Sequence, residues 1–254
     1  MSRLNKNSDQ YCIFFLAHFL NQLETTNLHL SKKGLSIFFY LLIFIFQFKL
    51  WFVFIWQTEL IFLIFFISCS NEEEVILDPV ITNQVVNFAA PQTGGMGQPI
   101  GGEFSKFDFK TGMKTTSETD WDIAFRGTTI AVNGGAATGT ADEPVRNGNA
   151  GASIVSGLFA DVTDANNLTF TQDADGVFAI PTGSDNGWYN YSFQTNIVSP
   201  IPGKILVFRT HDGKYAKVEI LSYYLDQDSS NSRGGRNYTF NFVYNPNQGE
   251  TSFE

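Results

Sequence analysis

Histidine, cysteine and methionine are nearly missing from this chain. Its 254 residues include three histidines, two cysteines and three methionines, and most of them fall early. His18, His29, Cys12 and Met1 all precede Cys69, after which His211, Met96 and Met113 are all that remain. A chain beginning at Cys69 therefore cannot close an internal disulfide, and a zinc cluster of the Cys/His type has no ligands to draw on. A serine or cysteine triad would have to recruit His211, and no GxSxG elbow is present. The chain reads as a binding protein, not an enzyme. Positive charge is scarce too, with a formal net charge of −9. Of the 25 acidic residues only Asp9, Glu24 and Glu59 precede Cys69, which leaves 22 against eleven basic ones and a net charge near −11. No basic patch is visible, so nucleic acid is excluded as a partner. The glycines of Thr93–Gly102 lack dinucleotide-fingerprint spacing and a strand-then-helix setting, and read as a flexible loop.

What is abundant comes in two parts. From Leu35 to Ile67 the chain is dominated by Phe, Leu and Ile, interrupted by Gln47, Lys49, Gln57, Thr58 and Glu59. Leu50 to Ile67 is marginal in length for a spanning helix, and Glu59 near its middle costs a few kcal/mol in a bilayer, about 3 on insertion scales. Basic Lys49, or Lys32 and Lys33, then an apolar core, then Ser68-Cys69-Ser70 fit an export signal better. The junction resembles a bacterial lipoprotein signal, with Phe66 where leucine is usual and Cys69 as the lipidated first residue of the mature chain. Residues 1–34 are either an over-long start or part of a membrane-retained helix pair. Glu72-Glu73-Glu74 resembles a tag for the outer face of the outer membrane, and reads equally as a solvated tether. The expected organisation is a leader over 1–69, an acidic tether over 70–84 and a β domain over 85–254.

The β domain is organised around Ile205–Tyr224. Apolar and other residues alternate up to His211-Asp212-Gly213, and alternation resumes with Ala216, Val218 and Ile220 against Lys217 and Glu219. Period two around an Asp-Gly turn is a β-hairpin, and the polar face of its second strand should be wet. Phe104, Phe107 and Phe109 predict a strand ending at Lys110-Thr111-Gly112. Thr119–Phe125 predicts another, with Trp121, Ile123 and Phe125 on one face and Asp120 and Asp122 on the wet side. Ile130 and Val132 lead into a long glycine-rich loop to Gly151, and Ser153–Val162 is a strand or short helix. Asp173-Ala174-Asp175-Gly176 is a turn; as a calcium loop, like Asp226-Gln227-Asp228 with Asn231, it lacks the downstream bidentate glutamate, so no metal is assigned. Tyr238, Phe240, Phe242 and Tyr244 line one face of a last strand and most simply make core. The fold class is all-β, mostly antiparallel sheets in a sandwich-like domain with long loops.

TDWDIAF at Thr119–Phe125, Asn133-Gly134, the Trp188–Tyr191 aromatics, the hairpin and YTFNFVYNP at Tyr238–Pro246 together resemble the HmuY-like haemophore lipoproteins. The likeness spans about residues 85–247. It implies an antiparallel β protein on the outer membrane that takes haem from host haemoproteins and passes it to a TonB-dependent receptor. The founding type uses an axial histidine just after the WDIAF-like strand, where this chain has Arg126, and a second ligand in the loops beyond. Between Arg126 and Ile180 there is neither histidine nor methionine. Haem ligation then falls to Met96, Met113 or His211, or a tetrapyrrole is held by stacking on Trp188, Tyr189 or Tyr191. The alternative is a surface module of the same fold for a non-haem ligand.

Overall fold

The computed structural model describes residues 76–254, apart from position 96, together with Tyr40, Ile43, Phe44, Ile45 and Gln47, which are helical. The chain divides into two units, Met1–Glu74 and Val75–Glu254. The expected export signal, Cys69, the glutamate run and Met96 lie outside the described residues. Among the described residues no helix is long and apolar enough to cross a membrane.

In the second unit the strands are β1 (Ile81–Ala89), β2 (Thr93–Gly95), β3 (Gln98–Gly101), β4 (Ser105–Asp108), β5 (Met113–Thr115), β6 (Ile123–Arg126) and β7 (Thr129–Val132). They continue as β8 (Gly151–Ser156), β9 (Tyr189–Ser192), β10 (Ile197–Pro200), β11 (Lys204–Arg209), β12 (Tyr215–Tyr224) and β13 (Gly235–Asn245). A five-stranded sheet runs in the order β1-β13-β12-β11-β8 and a four-stranded one in the order β5-β4-β6-β7. Two ribbons, β2-β3 and β9-β10, complete the set, so the glycine-rich stretch from Thr93 pairs with itself instead of forming an open loop. Every strand ladder is antiparallel.

The predicted hairpin is β11–β12. Leu206 pairs with Val218 and Phe208 with Ala216, which sends the apolar set to one face because the side-chain period is two. At the turn Gly213 takes φ +87°, a backbone conformation that costs glycine nothing. β13 continues the register, setting Tyr244 opposite Ala216, Phe242 opposite Val218 and Phe240 opposite Ile220. Its aromatic face meets the four-stranded sheet edge-on: Phe107 lies 5.3 Å from Phe240 at 81° and 5.7 Å from Phe242 at 79°. Phe107, Phe240 and Phe242 are wholly buried, each contributing roughly 1.5–3 kcal/mol by leaving water. This is the interior of a sandwich, built from β1, β4, β6–β9 and β11–β13.

Both sheets are covered on their outer faces as well, which alternation alone does not predict. Behind the five-stranded sheet, Ile205, Val207 and Val243 pack with Val162, Ala165 and Phe253. The covering segments are held together by Ala165 N donating to Thr251 O (2.8 Å) and Phe253 N to Thr163 O (2.7 Å). Lys217, expected on a wet face, is therefore 5% exposed, and its Nζ donates to the carbonyls of Phe159 (2.8 Å) and Val162 (2.9 Å). Behind the four-stranded sheet, Trp121, Ala124 and Ala131 pack with Phe104 and Phe178 under the loops after β7. Thr119–Asp122 is not strand, because β6 begins only at Ile123. Trp121 consequently falls on the opposite side from Ile123 and Phe125.

Candidate functional site

Two polar constellations mark the two ends of β6. At its C-terminal end Arg126 points out of the sandwich, in step with Ala124, yet is 3% exposed. Its guanidinium lies 4.2 Å over the Phe104 ring, and its nitrogens donate to Gly102 O (3.2 Å), to Ala141 O and to Thr140 Oγ1 (3.1 Å). Burial pulls its pKa down while Asp142 and Glu143 oppose that; a guanidinium stays charged regardless. Nε of Arg126 and Nε1 of Trp121 are buried with no partner among the described residues. Arg126 thus clamps the loop after β7 onto the sheet.

That loop is itself a buried ion network. The side chains of Arg146 and Asp173 are 2% and 0% exposed, with Nη2 to Oδ2 at 2.8 Å, and Arg146 Nη1 reaches Glu143 Oε2 at 2.7 Å. Asp173 also accepts from Val132 N (3.1 Å) and Ala179 N (2.7 Å). Both its oxygens are engaged within the protein, so it ties two loops to β7. Burial pushes the Glu143 carboxyl up, but donors at Thr138 N, the Thr138 hydroxyl and Thr140 N, with Arg146, outweigh it and hold the pKa at about 2. Beside the network is an open cleft of about 260 Å³ lined by Glu103, Phe104, Lys106, Glu118, Asp142, Glu143 and Pro144. Ligand pockets usually start near 300 Å³, and four carboxylates against one lysine would repel the propionates of a haem.

At the other end of β6 sits the hairpin tip. Asp122, expected on the wet side with Asp120, is 2% exposed. Its Oδ2 accepts from Phe109 N (2.8 Å), and its Oδ1 from His211 N (2.9 Å) and His211 Nδ1 (2.8 Å). The hydrogen bond to Asp122 raises the imidazole pKa, burial opposes it, and Asp212 and Asp108 add to the rise. Asp212 accepts from the Thr210 hydroxyl (2.6 Å) and pairs with Lys214 (2.9 Å). Asn149 N donates to His211 O (2.9 Å), and a Cβ at Gly148 would stand 2.5 Å from that of His211. Only glycine lets the loop lie this close to the tip.

The remaining sequence candidates are scattered. Met113, on β5, is 64% exposed. Trp188 and Tyr189, 2% and 8% exposed, belong to the core: the indole packs on Tyr189 (4.9 Å) and Tyr238 (5.1 Å) and donates to Thr128 O (3.0 Å). Tyr191 is half-buried and carries Phe193, 85% exposed, edge-on at 5.0 Å; Phe193 was not foreseen, since a lone phenylalanine in a turn gives no signal. Asp122 as the partner of His211 was equally hidden, because the contact spans 89 positions. A haem held by two axial ligands at the C-terminal end of β6 does not fit these residues, because Arg126 has no lone pair to offer.

A family model described as HmuY protein matches residues 102–242. No curated protein matches the chain. Among solved structures, the apo HmuY analogue of Tannerella forsythia is similar at 13% identity, covering 67% of this chain and 99% of its own, with a TM-score of 0.43. A protein of Bacteroides vulgatus ATCC 8482 described as HmuY-like and heme-binding shows 14% identity over 68% and 97%, with a TM-score of 0.37. One described as a lipoprotein, from Bacteroides fragilis NCTC 9343, shows 15% identity over 66% and 90%, with a TM-score of 0.36.

Proposed function

The chain belongs to the HmuY family, and from that premise we propose that it is a non-catalytic surface lipoprotein that captures haem or a related tetrapyrrole. The family match across most of the β domain is the observation that carries this reading. The export signal ending at Ser68-Cys69 supplies the anchor, with Cys69 lipidated and the domain facing out from the outer membrane. The cargo would be taken from host haemoproteins and handed to a TonB-dependent receptor. The mode of capture differs from a two-ligand clamp, because Arg126 is spent on loop carbonyls. Binding therefore rests on one ligating side chain or on ring stacking, and should be weaker than two axial bonds allow. Titration of the purified protein with ferric haem, oxidised and then reduced, tests the proposal. A Soret shift is expected, and none in either state overturns it.

A second reading, a binding module of the same fold for a non-haem ligand, is favoured by one observation. Arg126, buried under the loop after β7, and the open acidic cleft beside it occupy the end of β6 where the family resemblance places an iron ligand. Retained binding of metal-free porphyrin would support stacking, whereas indifference to both haem and porphyrin would leave the second reading standing.

A further inference from the structure

The hairpin tip brings an imidazole nitrogen and two carboxylate oxygens, from His211, Asp122 and Asp212, within 4.8 Å of one another. Two of the three side chains come from adjacent residues of one turn, and that turn is closed by its own hydrogen bonds: Thr210 N donates to Lys214 O (2.8 Å), Gly213 N to Thr210 O (3.1 Å) and Lys214 N to the Thr210 hydroxyl (2.8 Å). The third is fixed just before β6, where Asp122 N donates to Phe107 O (2.9 Å) and Asp122 O accepts from Asn133 N (2.9 Å). The atoms are thus held together before any ligand arrives, and a small one would impose little ordering cost. Lone pairs remain as well. A carboxylate offers about four, and Asp212 uses one on the Thr210 hydroxyl and one on the Lys214 ammonium. Asp122 gives Oδ2 to Phe109 N and Oδ1 to His211 N and Nδ1. Only the Nδ1 proton has to leave for Nδ1 and Oδ1 to face one ion together.

Charge at the tip calls for a cation. The carboxylates of Asp108, Asp122 and Asp212 all act on the His211 ring, and the ammonium paired within the group is that of Lys214. With the imidazole neutral, three negative charges against one positive leave two, which a divalent ion cancels. An imidazole among carboxylates suits a first-row transition ion, whereas calcium and magnesium take oxygen ligands. Spacing narrows the choice. Ligands about 2.1 Å from an octahedral ion stand about 3.0 Å apart when cis, against about 3.4 Å on a tetrahedron, and His211 Nδ1 lies 2.8 Å from Asp122 Oδ1. Exposure of the side chains rises from 2% at Asp122 through 22% at His211 to 36% at Asp212, so water can reach the outer positions. The geometry points to a first-row divalent metal site at the β11–β12 tip, with His211 Nδ1, Asp122 Oδ1 and one oxygen of Asp212 as ligands and water in the remaining positions. The ion takes the place of the Nδ1 proton, which passes to solvent, and it staples the hairpin turn to the start of β6. A bare ion needs neither a cavity nor an apolar face, and this site stands apart from the haem reading.

Calorimetric titration with Zn²⁺, and visible absorption with Co²⁺ in its place, test the site. The full chain is used in detergent, and differences between variants remove the background from His18, His29, Cys12 and Cys69. Wild type should bind one zinc ion more than His211→Ala does, and Co²⁺ at that position should give the weak bands of an octahedral ion. Asp212→Asn, a change at the exposed end of the site, should weaken this binding about tenfold or more. Lys214→Met keeps the stem and removes the competing ammonium, so it should tighten binding by up to about fivefold; a variant that merely misfolds cannot do so. Equal zinc uptake by wild type and His211→Ala overturns the inference. So does an affinity unmoved by both Asp212→Asn and Lys214→Met, because association with scattered surface carboxylates would behave that way. Neither result bears on the family reading, which the haem titration decides.

Discussion

The ammonium of Lys217 stands 4.5 Å over the ring of Phe159 and donates to that residue's own carbonyl at 2.8 Å. A second bond goes to Val162 O, and the ring of Phe253 lies 5.6 Å away. One lysine on β12 thus fastens both the segment after β8 and the C-terminal tail to the back of the five-stranded sheet. Burial lowers its pKa, with Glu254 partly opposing.

Lys217→Ala should lower the unfolding free energy by about 2–4 kcal/mol, because it removes a buried stem and leaves two carbonyls without a donor. Lys217→Met keeps the stem and loses only the bonds, so it should cost less. Urea denaturation of the two variants checks the order. A Lys217→Met variant as stable as wild type would mean that the amine is not what holds the covering segments.

The edges of legibility follow from this. The hairpin and β13 could be read because alternation persists over many residues on both sides of an Asp-Gly turn, and their apolar faces did become the core. Alternation misplaces Lys217 and Asp122 and leaves Arg126 open for one shared reason. Each sits at a position that is solvent-facing by alternation, and each is covered by a segment with no periodicity of its own: the stretch after β8, the hairpin tip, or the loop after β7. Loops that bury a sheet's second face carry their signal in contacts distant along the chain, as between Asp122 and His211, and one sequence does not reveal them.

The Asp122–His211 pair should make stability depend on pH in a specific direction. Asp122 raises the imidazole pKa above its usual 6.5, so the native state binds that proton more tightly than the unfolded chain does. The contribution is then complete below about pH 6.5 and fades as pH rises through the higher native value. Thermal melts of wild type between pH 6 and 9 should show this loss, and His211→Gln should flatten it. An unchanged slope in the variant would assign the dependence to other groups.

Cys69→Ser should move the protein from the membrane fraction to the soluble one, since a lipidated cysteine is the anchor proposed for a domain that has no spanning helix among its described residues. Metabolic labelling with a fatty acid should fall in parallel. Unchanged fractionation would point to the apolar stretch before Ser68 as the anchor, uncleaved.

Restoring a histidine at the end of β6 should not restore a haem clamp. Arg126→His supplies an imidazole, but it cannot reach Gly102 O, Ala141 O and Thr140 Oγ1 together, as the guanidinium does, and it gives up the stacking on Phe104. A buried polar group left without its partner typically costs about 1–3 kcal/mol; the partly unsatisfied guanidinium here places the expected loss per acceptor at the lower end. The loop from Asn133 to Asn147, freed from its clamp, should exchange its amide hydrogens faster. Haem affinity should stay within about threefold of wild type, because residues 127–180 still hold no histidine or methionine to take the opposite face of the iron. A tenfold gain with a bis-histidine spectrum would mean that the loop opens readily and that another histidine of the chain can reach the site, and the sealed arrangement around Arg126 would then be only one of its states.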